Sequence, residues 1–251
     1  MKRLLLSLIV IVAFTVPVHA TISIVDKTIS GSADGSGFTT TAINSTTATF
    51  CYAAIANFTG TGHDDSLSDS NMNTWTALTP QTDASNHKIA AYYAVNPSVG
   101  MGHTATLTDT GGGSAFSSVW FGCFSGVITA SPLDTQTGTT GTNVATQPSG
   151  SITTSASTNI AITAIAFGAS VSSVTVNSSF LSPPDFVNTD GAHNVGLAVS
   201  YKVSVSGTEN PSFSWTSLVD DAITIADFKA TGGGGGGGST PHNGTTLGVG
   251  H

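Results

Sequence analysis

Arginine occurs once in this 251-residue chain, at Arg3, glutamate once, at Glu209, and charged residues of every kind make up 8%. Lys2 and Arg3 precede an apolar run from Leu4 to Val16 that closes on Val18-His19-Ala20. These are the charged, apolar and small-residue parts of a secretory leader, with cleavage expected after Ala20. Beyond residue 20 the six basic residues fall to four against 14 acidic ones, a formal charge of 4 − 14 = −10. Neutralising phosphates takes Lys and Arg, so the composition speaks against a nucleic-acid partner and against electrostatic docking on anionic lipid. No later stretch reaches the roughly 18 continuous apolar residues of a membrane helix, so no membrane span is predicted in the mature chain. The expected location is secreted, extracellular or at the cell surface.

Catalytic signatures are equally scarce. Glycoside hydrolysis needs two carboxyl groups flanking one bond, and the lone Glu209 cannot supply a glutamate pair. The adjacent Asp220 and Asp221 would point to opposite faces of a strand and read as the entry to a turn. No Gly-x-Ser-x-Gly nucleophile elbow occurs. His63, His87, His103 and His193 stand singly and read as surface residues, while His242 and His251 lie near the C-terminus. The sequence therefore predicts a non-enzymatic protein with no resident cofactor, unless an acidic loop holds calcium.

What the chain has in quantity is Ser, Thr, Gly and short alternating apolar runs, with no helix signal after the leader. The run Phe116 to Gly126 places Val119, Phe121 and Cys123 on one face and Trp120, Gly122 and Phe124 on the other, a strand covered on both sides in mid-sheet. Thr49 to Ala56 is of the same kind and carries the other cysteine, Cys51. Further strands are predicted over about 66–69, 74–79, 87–95 and 103–109, with Ile89, Ala91, Tyr93 and Val95 facing inward. The fold class expected is all-β: a jelly-roll-like, two-sheet antiparallel β-sandwich over 21–231. Seven glycines, Gly232 to Gly238, then open a glycine-rich tail to His251, expected to be flexible.

The second half echoes the first. Asn159 to Ala166 follows Thr49 to Ala56, Val195 to Val203 follows His87 to Val95 with Tyr201 at the place of Tyr93, and Asp220 to Ala230 follows Phe116 to Gly126. An internal duplication with halves of about 21–134 and 135–231 accounts for this, the alternative being that any two sets of sandwich strands look alike. Because the join from Thr135 to Ser151 has no linker composition, the strands of the halves are expected to interleave in one domain.

An even pair of cysteines on two similar strands of an exported protein predicts a Cys51–Cys123 disulfide, the alternative being two buried thiols. In the loop from His63 to Asn73, the spacing of Asp69, Asn71 and Asn73 matches the alternate oxygen ligands of a calcium loop. Thr74 stands at the glycine position and Pro80 at the closing acid, so the other reading is a turn held by Asp and Asn side chains. Most aromatic residues read as core; Trp75, just past this turn, is the candidate for stacking on a sugar ring, with His63 and Asp64 and the 109–116 loop beside it.

The turn Ser68-Asp69-Ser70-Asn71-Met72-Asn73-Thr74-Trp75-Thr76, the strand Ala91-Tyr92-Tyr93-Ala94-Val95-Asn96, the strand end Phe124-Ser125-Gly126 and the triplet Pro132-Leu133-Asp134 carry a further signal. Together they resemble an uncharacterised β-sandwich family of bacteriophage and bacterial exported or surface proteins, over about residues 45–170. The resemblance implies fold, brings no catalytic residues, and departs from the family turn at Met72, where glycine is usual. The expected function is binding or adhesion at a surface or virion, to glycan or a cell surface. The alternative is a structural subunit that self-assembles by strand addition, using the segment from Thr21 to Val25 or the tail; a glycan hydrolase ranks below both.

Overall fold

The computed structural model describes residues 21–32, 37–60, 65–109, 116–189 and 195–232. Every regular element among them is a strand. The first sheet runs in the order β1 (Ser23–Ser32), β10 (Ser117–Ser125), β3 (Phe50–Phe58), β7 (His87–Val95), with β5 (Thr76–Ala77) and β6 (Gln81–Thr82) both on the far side of β7. The second runs β11 (Leu133–Pro148), β18 (Ser212–Phe228), β13 (Asn159–Phe167), β16 (Gly196–Val205), β15 (Asp185–Val187), with β14 (Thr175–Val176) on the early part of β18. Three two-stranded ribbons complete the set: β2 (Ile43–Asn44) with β8 (Met101–His103), β4 (Asp65–Asp69) with β9 (Ala105–Asp109), and β12 (Ile152–Thr153) with β17 (Thr208–Glu209). All the strand pairs are antiparallel.

The two sheets close on a shared apolar core, as a β-sandwich does. Phe50, Tyr52, Ala54 and Ala56 of β3, Ile89 and Ala91 of β7 and Trp120 and Phe124 of β10 face Ile160, Ile162, Leu197, Val199, Ala226 and Phe228 of the second sheet. The Phe228 ring reaches across to Phe50 at 4.7 Å, Tyr93 at 5.4 Å and Tyr52 at 6.0 Å. Burial pushes the Tyr52 phenol far above its ordinary range. β10 lies between β1 and β3, so the predicted mid-sheet placement holds. Gly122 is needed there because the Trp120 indole lies over it, and a Cβ would meet the ring at 2.2 Å.

The outer faces are covered too, which is why these strands are apolar on both sides. Ile43, Leu67, Ala105 and Leu107 from the ribbons lie over Cys51, Phe121, Cys123, Ile55 and Val119. Over the second sheet, Ile152, Val171, Val174, Val176 and Phe180 cover Ile165, Phe167, Ile223 and Ile225. Cys51 and Cys123 face each other directly across β3 and β10, with Cα atoms 4.0 Å apart, and form the predicted disulfide.

The internal repeat is visible in the pairing. Phe50 sits opposite Val95 and Phe124, and Ile160 sits opposite Val203 and Phe228. The halves are thus related by offsets of 110 (50 to 160), 108 (95 to 203) and 104 (124 to 228). The expected interleaving does not occur: the first sheet draws only on residues 23–125 and the second only on 133–228. Each half already holds the four long strands that satisfy one another's main-chain groups, so only its apolar face is left for the other half to cover. β1 is paired with β10 from Ser23 to Ser32, so the segment from Thr21 to Val25 leads into a strand of its own sheet. The tail beyond Gly232 lies outside the described residues.

Candidate functional site

At one end of the first half the chain turns tightly after β4, with Met72 at a φ of 57° and its N–H bonded to the Asp69 carbonyl at 3.2 Å. The Asp69 side chain is the hub of this turn. Its carboxylate accepts the N–H of Asn71 at 2.8 Å and of Asn73 at 3.3 Å, the Asn73 amide at 3.1 Å, the Trp75 indole N–H at 2.7 Å and His103 Nε2 at 3.2 Å. Burial pushes this carboxyl up, but the donors from His103, Trp75, Asn71 and Asn73 outweigh it and hold Asp69 below the ordinary carboxylate range. Both Asp69 oxygens are therefore engaged by N–H groups, Asn73 Oδ1 is taken by the N–H of Ser98 at 2.5 Å, and Asn71 Oδ1 accepts Ser70 Oγ at 3.4 Å. This is the bonding of the hydrogen-bonded turn.

His103 Nδ1 meets Ser45 Oγ at 2.8 Å, and Ser45 Oγ in turn accepts the Gly100 N–H at 3.1 Å. Ser45, His103 and Asp69 thus stand in the order of a nucleophile line. Ser45 and His103 are both fully buried, His103 with its ring edge-on to Phe121 at 4.9 Å, so Oγ faces no surface from which a substrate could approach. What the line does is position: it ties the 69–75 turn to β8 and to the disulfide layer beneath. Cys51, Cys123 and His103 also have metal-ligand spacing, within 4.8 Å, but the two sulfurs are bonded to each other and offer no thiolate.

Around this fixed base three apolar side chains are exposed, among the exposed polar residues Ser70, Thr74 and Ser98. Met72 is 91% exposed, Met101 84% and Val99 39%. The turn and the 98–101 segment are joined by Asn71 and Asn73, whose amides both donate to the Ser98 carbonyl, at 2.9 and 3.2 Å. Trp75 is half-buried against Phe121, ring centroids 6.1 Å apart, with its N–H fixed on Asp69. His63, Asp64 and the 110–115 stretch lie outside the described residues.

Several expectations are corrected. His87 and His103 are not surface residues: His87 Nδ1 pairs with Asp83 at 2.8 Å, and His103 is buried in the line just described. Asp220 and Asp221 do not enter a turn but lie within β18, where Asp221 faces Gly141 of β11. They do diverge, as neighbouring strand residues must. Asp220 takes Ser85 Oγ and the N–H of Asn143, the latter at 2.8 Å, and these bonds hold it below the ordinary range. Asp221 is fully buried, neither oxygen makes a well-formed hydrogen bond, and burial, followed by the nearby Asp83 and Asp220 charges, pushes it up to about 7 against a weaker pull from the Gly141 N–H.

One grouping went unpredicted. Asp134, Asp227 and Asn159 meet at the outer face of the second sheet, with Glu209 nearby and ion-paired to Lys202 at 2.7 Å. Asp227 is an acid in the apolar run from Ala222 to Phe228, the signal that marks it.

No protein-family model, no curated protein and no solved structure matches the chain. The class rests on the structure itself: an all-β two-sheet sandwich with one disulfide and, among the described residues, no helix long and apolar enough to cross a membrane.

Proposed function

We infer that this chain is an exported, non-enzymatic binding or adhesion module, and that its contact surface is the end formed by Met72, Trp75, Val99 and Met101. The observation that carries this reading is the contrast between base and surface. A saturated, buried hydrogen-bond network centred on Asp69 underlies an exposed apolar group, and both methionines beyond Met1 belong to it. Fixing the backbone beneath exposed apolar side chains lowers the ordering cost of a contact, which is useful for binding. Trp75, fixed through its N–H, offers its remaining exposed ring to a sugar face, so glycan is the ligand class proposed. The leader-like first 20 residues and the resemblance to exported and virion-associated sandwiches support a secreted or cell-surface location. Glycan-array binding by the chain from residue 21, weakened at least tenfold by Trp75→Ala and by the Met72→Ser/Met101→Ser pair, is the expected result. Binding that both variants leave unchanged refutes the assigned surface.

A second reading, a subunit that assembles by strand addition, draws on the meeting of the first and last described segments. Thr231 donates its N–H to Gly126 at 2.8 Å, and Gly126 packs on Thr21, beside the start of edge strand β1. A tail continuing from there starts beside an open sheet edge, where an extended segment can pair with a neighbouring copy. Sedimentation of the chain with and without residues 233–251 tests this, a tail-dependent oligomer being the expected result and a monomer in both cases the contrary one.

A further inference from the structure

The internal repeat assigns a counterpart to each residue of the disulfide layer. Cys51 corresponds to Ala161 (offset 110), Cys123 to Asp227 (offset 104), and His103, which pairs with Ile43 in its ribbon, to Glu209, which pairs with Ile152. Where the first half has a covalent link, the second has a buried acid. Asp227 is fully buried with its Oδ1 left without a partner, and one amide group draws its other oxygen and the Asp134 carboxyl together. A single amide group, Asn159 Nδ2, donates to both, at 2.6 Å to Asp227 and 3.2 Å to Asp134, and the Ser155 N–H donates to Asp134 at 2.6 Å.

We propose that Asp134 and Asp227 share one proton and form a carboxyl–carboxylate clasp, which fastens the start of β11 and the 155–159 segment to β18 and lets go when the proton leaves. The charges around the pair require such a proton. Facing it are Glu209 from β17, already neutralised by Lys202 of β16, and Lys229 just past β18, 3.9 Å from Asp134. One lysine is thus left for two carboxylates, and a proton on Asp227 balances the site. Two ionised carboxyls gathered on one amide group repel strongly in a buried setting, whereas one neutral acid can donate to the other. A metal ion fits less well, because the Asn159 amide directs its N–H groups, not its oxygen, at both carboxyls. Burial, then the Asp134 and Glu209 charges, push Asp227 up to about 7, while the Ser155 and Asp227 donors hold Asp134 down against the opposing effect of its burial.

The test needs no variant at first. In a carboxyl-carbon NMR titration of the chain from residue 21, Asp134 and Asp227 should report one common step as the proton leaves near neutrality. Separate steps, both complete below about pH 5 like ordinary carboxyls, would overturn the proposal. Asp227→Asn supplies the second measurement, since an amide at 227 donates to Asp134 at every pH. Two raised acids, Asp221 and Asp227, each lower the folding equilibrium up to about tenfold per pH unit between their ordinary and raised values. The variant should therefore lose about half of that slope. An unchanged slope overturns the clasp, and so does millimolar calcium that restores alkaline stability to the wild type and not to the variant, which would make the site a cation site.

Discussion

The two halves of this molecule have one strand order and one register, yet they fasten the same place by different chemistry. In the first half, Cys51 and Cys123 are bonded under a ribbon that carries buried His103; in the second, Ala161, Asp227 and Glu209 hold the corresponding positions. The difference teaches that the backbone frame does not depend on either device. Main-chain pairing and the apolar face shared between the sheets define it, and the layer outside each sheet is free to vary. One half is locked by a bond that responds only to reductant, and the other by acids that respond to pH. The first half also bears the exposed apolar end, so the rigid lock lies beneath the proposed contact surface.

Breaking the covalent lock should cost most. Replacing Cys51 and Cys123 together by Ala removes a link across 72 residues, and the chain-entropy model gives a loss of about 4 kcal/mol, measurable by urea unfolding. Asp69→Ala comes next, at about 3 kcal/mol, because it leaves His103, Trp75 and the turn N–H groups without their acceptor. Asp69→Asn should recover part of this, since an amide oxygen still accepts. In the second half the sign reverses. Asp221→Asn takes away a buried acid without a well-formed hydrogen bond and should stabilise the chain by about 2 kcal/mol near pH 5.5, with little effect at pH 4. Trp75→Ala should change stability least, by about 1 kcal/mol, while removing the proposed glycan contact.

The pH dependence follows from the same contrast. Asp221 and Asp227 are raised to about 7, so between the ordinary carboxylate range and 7 the folded chain holds protons that the unfolded chain has released. Stability from these groups is complete in acid, falls as pH rises through that interval, and is level above it. Asp69, Asp134 and Asp220 are lowered, and their contribution is lost as pH falls below the ordinary range. The unfolding temperature should therefore peak at about pH 4 to 5 and decline toward 8.

Much of the frame was legible in the sequence because strands covered on both faces leave a plain pattern. The alternation of Phe116 to Gly126 and of His87 to Val95, the disulfide and the drift of the repeat from 110 to 104 all have direct counterparts in the pairing. The arrangement of the halves was not legible, since a run of apolar residues does not say which apolar face it will meet. Asp69 was visible as an acid near a turn, but its partner His103 lies 34 positions away in another ribbon, and Ser45, which bonds His103, lies 58 positions from it, and spacing alone carries no trace of that. His87 and Asp221 were misplaced for a related reason: a lone polar residue reads as exposed unless the element that buries it is known. The Asp134–Asp227 pair joins the two ends of neighbouring strands, and only the register β11 makes with β18 brings it together.

Whether one frame carries two independent fastenings is decided by hydrogen exchange mapped over the whole chain under two perturbations, reductant at pH 5 and alkaline pH without reductant. After correction for intrinsic rates, reduction should release protection around 43–57, 101–107 and 119–125 and leave 133–136, 155–162 and 224–228 unchanged, while alkaline pH should do the reverse. The same segments opening under both perturbations would contradict the account.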